Sequence, residues 1–113
     1  MLLPHQYNSV ETLTATGTIS QSTSVTLLAT GGSAATYTLG TGTRQGQMKI
    51  IICTALGATT TVAIGATVGA AANVVFQAVG ESITCMWTGT AWAILSFGRG
   101  ATGSNIVGTQ DIT

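Results

Sequence analysis

"VGESITCMWTGTAWAILS", residues 79–96, decides the fold. Two apolar runs flank Thr88-Gly89-Thr90-Ala91, and a tryptophan stands on each side of that turn. A two-residue turn at Gly89-Thr90 would use glycine's tolerance of positive φ at the first central position. That register pairs Thr88 with Ala91, Trp87 with Trp92, Cys85 with Ile94 and Ile83 with Ser96. One face then carries Ile83, Cys85, Trp87, Trp92 and Ile94. The other carries Thr84, Met86, Ala93, Leu95 and Phe97. A three-residue loop would put the two indoles on opposite faces. Because both faces are largely apolar, the hairpin is expected either to be covered twice or to lie at a subunit interface. Exposed, the two indoles would instead form a platform for stacking sugars. The shortage of Asp, Asn and Glu nearby to orient sugar hydroxyls argues for core packing.

The pattern extends upstream. From Val10 the chain reads as short β segments separated by Gly or Ser-Gly: "VETLTAT", "SVTLLAT", "ATYTLG", "QMKIIICTA", "TTTVAIG" and "NVVFQAVG" precede the hairpin. "QMKIIICTA" (47–55) is the longest apolar run and reads as a strand buried on both faces. Strands at intervals of about ten residues without helical periodicity predict an all-β fold. The expected form is an antiparallel β-sandwich or barrel of about eight short strands with extended N- and C-terminal arms. The divisions are an arm at 1–9, a β domain at 10–99 and a tail at 100–113.

Charge narrows the function. Charged residues make up 5% of the 113, the formal net charge is zero, and about one residue in five is threonine. Roughly a quarter of residues are charged in an ordinary soluble domain. The surface therefore lacks the cationic field that would hold a phosphate backbone, and no nucleic-acid partner is expected. It also lacks the self-repulsion that keeps proteins apart, which suits a chain that meets protein over much of its surface. The uncharged window 50–80 is long enough for a membrane helix, but Gly57, Gly65, Gly69 and the Thr59–Thr61 run argue for strands and turns. No membrane partner is expected, and "MLLPHQYNSVE" has no basic leader.

The parts of an enzyme are scarce. His5 stands alone beside Pro4, and Glu11, Glu81 and Asp111 are far apart in the chain. No G-x-S-x-G elbow or C-x-x-C pair occurs, and "GTGTRQG" lacks the G-K-[ST] ending of a phosphate loop. No catalytic residue, metal or cofactor is assigned. Cys53 and Cys85, both in apolar runs, read as buried free thiols. Arg44, Lys49, Glu81 and Arg99 either cap strand ends or, for Lys49 and Arg99, pair with an acid of a neighbouring subunit.

The stretch "LTATGTISQSTSVTLLATGGSAATYTLGTGTRQGQMKIIICTA" together with the hairpin resembles a module of tailed-bacteriophage virion proteins, over roughly residues 12–97. Its marks are a Thr-rich opening strand, a "tLgtGt..Gq.k.i" centre and a "vGesitcmwtgtaWails" end. They are glycines and a tryptophan rather than chemical ligands. The resemblance implies a non-enzymatic structural protein of the particle surface, assembled in the host cytoplasm. It would be a head decoration (cement) protein bound to the major capsid protein and to itself as a homotrimer. The alternatives are a tail-fibre or tail-tip subunit, or a carbohydrate-binding module using Trp87 and Trp92. The expected capsid contacts are Met1, Leu2, Leu3, Pro4 and Tyr7 in the arm and Ile106 and Val107 in the tail. The expected subunit interface is Lys49, Met86, Leu95, Phe97 and Arg99.

Overall fold

The computed structural model describes residues 10–69 and 73–98. Nine strands occur among them: β1 (Val10–Leu13), β2 (Gly17–Thr18), β3 (Val25–Thr30), β4 (Ala35–Leu39), β5 (Met48–Leu56), β6 (Thr60–Ile64), β7 (Asn73–Phe76), β8 (Ser82–Trp87) and β9 (Trp92–Gly98). They form a five-stranded sheet, β1-β3-β5-β8-β9, and a four-stranded sheet, β2-β4-β6-β7. The all-β expectation holds among the described residues.

The antiparallel expectation is corrected. β1–β3, β3–β5, β2–β4 and β4–β6 pair parallel, whereas β5–β8, β6–β7 and β8–β9 pair antiparallel. The first six strands alternate between the sheets, so each pairs with the strand two before or after it. Parallel neighbours need a crossover connection. Here the crossover is a strand of the opposite sheet, and β1–β2, β3–β4 and β5–β6 form three successive coils. The chain then reverses at β7 and closes with the hairpin β8–β9.

The sheets share one core. Leu28, Ile51, Cys53, Ile83, Cys85 and Trp92 from the larger sheet join Tyr37, Leu39, Val62, Ile64 and Phe76 from the smaller. Polar bonds tie the layers at fixed points. Thr30 Oγ1 and the Tyr37 hydroxyl lie 2.8 Å apart, and Thr60 Oγ1 donates to Thr30 Oγ1 at 2.6 Å. The Trp92 indole N–H donates to the Gly40 carbonyl at 2.7 Å. Each satisfies a buried polar atom whose loneliness would cost about 1–3 kcal/mol.

The hairpin forms in the two-residue register near its turn. Thr88 N–H donates to the Ala91 carbonyl at 2.8 Å, Gly89 has φ +110°, and Trp87 lies opposite Trp92. Beyond Cys85 the register shifts by one: Cys85 pairs with Ile94, but Thr84 pairs with Ser96 and Ile83 with Phe97. Leu95 is the extra residue of a β-bulge. The expected Ile83–Ser96 pair is therefore replaced, and Phe97 changes faces. It turns inward beside Ile83 and stacks on Phe76 of the other sheet, with centroids 6.2 Å apart and planes at 14°.

Candidate functional site

β3 and β5 bury VTLLAT and MKIIICTAL with an unusual parity. Thr26, Leu28 and Thr30 face inward from β3, as do Lys49, Ile51 and Cys53 from β5. Val25, Leu27, Ile50 and Ile52 are left half-exposed on the other side. A sheet with one wet face normally turns its polar residues out. The expectation that 47–55 is buried on both faces is thus met on one face alone within the described chain.

A polar cluster sustains this parity. Lys49 is 1% exposed, and its ammonium donates to the carbonyls of Ser20 (2.9 Å) and Thr23 (2.8 Å) and to Thr23 Oγ1 (2.6 Å). The Glu11 carboxylate lies 3.8 Å from it and accepts from Ser20 N–H at 2.8 Å and Thr26 Oγ1 at 2.7 Å. Burial pushes the Lys49 pKa below its ordinary value, with Glu11 opposing the shift. Lys49, expected at a subunit interface, is turned inward in the chain itself. Its charge is satisfied within the chain, and it holds the segment Ser20–Thr23 against β5.

With Lys49 turned in, no charged side chain stands on the outer face of the five-stranded sheet among the described residues. Its cross-strand rows are Val10–Val25–Ile50–Thr84–Ser96, Thr12–Leu27–Ile52–Ser82–Gly98 and Met48–Met86–Ala93. The outer face of the smaller sheet is different: Thr18–Thr38–Ala63–Asn73 and Thr36–Thr61–Val75. That second face has the composition of a solvated pleat. The first is the candidate assembly surface. Sequence periodicity could not isolate it, because in "KIIIC" both sides of the pleat are apolar and the lysine's direction is undetermined.

Of the expected interface residues, Met86 lies on this outer face and is half-buried. Leu95, at the bulge, is 55% exposed. Phe97 is 42% exposed and stacks on Phe76, so it lies off the outer face on which the hairpin pattern puts it. Arg99 and the arm and tail positions Met1, Leu2, Leu3, Pro4, Tyr7, Ile106 and Val107 lie outside the described residues. Trp87 and Trp92 are 6% and 0% exposed and meet edge-on, with centroids 5.4 Å apart. They offer no ring face on which a sugar could stack.

The remaining titratable groups are structural. Glu81 is buried and accepts from the backbone N–H groups of Gln77 and Ala78, which caps the turn between β7 and β8. Cys53 and Cys85 are free and buried. Burial raises both thiol pKa values, that of Cys85 to about 11, and the nearby Glu81 charge adds to the rise at Cys53. Among the described residues no three His, Cys, Asp or Glu side chains gather as a metal site, and no helix is long and apolar enough to cross a membrane. A shallow groove of about 330 Å³ lies between the segments 21–24 and 44–48, with Arg44 on its rim. Comparison with protein-family models, with curated proteins and with solved structures returns no match.

Proposed function

We propose that this chain is a non-enzymatic structural protein of a tailed-bacteriophage virion, a head decoration protein that binds the outer capsid surface and stabilises capsomer junctions. The observation that carries the reading is the uncharged apolar outer face of the five-stranded sheet, held in place by a lysine turned inward. Such a face is suited to burial against protein. The resemblance to virion modules supplies the biological setting, and the two sheets act in it as a rigid sandwich-like body. The partners are the major capsid protein and further copies of the chain. Its work is mechanical: a modest interface, repeated over many copies, resists pressure on the shell.

The test is mass spectrometry of separated heads and tails from particles that carry the chain. Enrichment in heads is the expected result. Enrichment in tails would replace the decoration role with a tail-fibre or tail-tip role, and absence from both would end the virion reading. Deleting residues 1–8 should abolish capsid occupancy while leaving the fold intact.

A further inference from the structure

We infer that the outer face of the five-stranded sheet is a self-association surface, on which a second copy of this chain packs face to face about a two-fold axis. This deepens the assembly reading and rests on it, but it is tested in solution without a particle.

The pleat parity is the first argument. Lys49, Glu11, Thr26 and Thr30 are inside, while Val25, Leu27, Ile50 and Ile52 are outside. Turning a lysine into the core costs desolvation, which three hydrogen bonds and a carboxylate offset. A face meant for water would have the opposite parity, as the threonine rows of the smaller sheet do. The chain therefore maintains an apolar outer face at the expense of a costlier interior.

Charge selects the occupant. Among the described residues the face has no charged side chain to complement a charged partner or to repel its own image. Residues such as Ile50, Ile52 and Met86 meeting their symmetry mates bury no unpaired ion, and the hydroxyls of Thr84 and Ser96 can both donate and accept. A second copy supplies a twisted sheet of matching shape, and two such sheets pack about 10 Å apart.

The area is small. The positions of that face's cross-strand rows, spaced about 4.8 Å between strands and about 7 Å along them, give a footprint of about 440 Å² per copy. Two copies bury about 900 Å², in the range of weak and transient interfaces, so the pair should be reversible. A closed two-fold pair also differs from the trimer that the virion resemblance implies. A trimer would have to use another surface.

The full chain is examined by analytical ultracentrifugation from about 1 μM to about 1 mM, the range in which small interfaces dissociate. A monomer–dimer equilibrium is expected. Ile50→Lys should weaken it at least tenfold with the circular dichroism spectrum retained, and Thr38→Lys on the smaller sheet should leave it unchanged. Met48→Lys, at a position already 44% exposed, provides the same reading should Ile50→Lys fail to fold. A wild-type chain monomeric throughout, including one whose outer face is protected from hydrogen exchange by its own arm or tail, overturns the inference. A dimer or trimer indifferent to Ile50→Lys and Met48→Lys overturns it as well. A monomer that still co-purifies with heads removes the self-association and leaves the decoration role standing.

Discussion

The Lys49 ammonium contacts Thr23 twice, at 2.8 Å to its carbonyl and 2.6 Å to its hydroxyl, and so anchors the segment after β2 to the middle of the larger sheet. Removing the ammonium would leave the carbonyls of Ser20 and Thr23 without their donor and the Glu11 carboxylate without its cation. Lys49→Ala should therefore cost about 3 kcal/mol, the scale of a broken buried pair. Glu11→Gln keeps the Ser20 and Thr26 acceptor and should cost about 1 kcal/mol. Urea unfolding of both variants checks the ranking. Equal losses would show that the charge of Glu11, rather than its hydrogen bonds, holds the cluster.

Gly42 faces the Trp87 indole at a distance that admits no side chain. A methyl group there would overlap Cβ, Cγ and Cδ2 of Trp87. Trp87 cannot retreat, since it packs edge-on against Trp92, whose indole is in turn tied to the Gly40 carbonyl. Gly42→Ala should destabilise by about 2 kcal/mol through overpacking and shift the tryptophan emission to the red. Gly65→Ala, where the nearest atom stands 3.8 Å away, should be nearly neutral. Fluorescence-monitored denaturation distinguishes the two.

The bulge at Leu95 makes neighbours on β9 unequal. Phe97 is stacked on Phe76, whereas Leu95 points to solvent. Phe97→Ala should cost about 2 kcal/mol, below the loss for a fully buried ring because Phe97 is partly exposed. Leu95→Ala should fall within about 0.5 kcal/mol of wild type. Thermal unfolding of both would test the shifted register. The unshifted pairing puts Leu95 and Phe97 on the same face and predicts similar effects.

What the sequence made legible follows the range of the interactions involved. The Trp87–Trp92 pairing could be read because the turn Thr88-Gly89-Thr90-Ala91 determines it locally. The bulge could not, because the ring on which Phe97 stacks, Phe76, lies in another sheet and more than twenty residues away. Strand positions between Val10 and Phe97 were readable from apolar alternation. Parallel coiling was not, since a strand's alternation is the same whichever neighbour it pairs with. The candidate surface was half visible: Met86 was identified from the hairpin, but Ile50 and Ile52 were assigned to a doubly buried strand. Lys49 had the opposite fate, because its acceptors are mostly backbone carbonyls of residues 20–23 that leave no mark on side-chain pattern.

Cys85 gives the fold an alkaline limit. Burial raises its thiol pKa from 9.0 to about 11, so between those values the unfolded chain loses the proton and the native chain keeps it. The stability that this contributes is complete below about pH 9 and is lost as pH rises towards 11. A two-unit gap is worth at most about 2.7 kcal/mol, and about 2 kcal/mol allows for relaxation around the thiolate. Cys53 acts in the same direction. Lys49 acts in the other: its native pKa is lowered, so its burial penalty eases as pH climbs towards 10.5. Cys85→Ala should lower stability at pH 7 by about 1 kcal/mol, for the small cavity, yet flatten the decline between pH 9 and 11. Urea midpoints measured across that interval check this. A parallel decline in wild type and variant would place the alkaline limit elsewhere, and Cys53→Ala would then be the variant to compare.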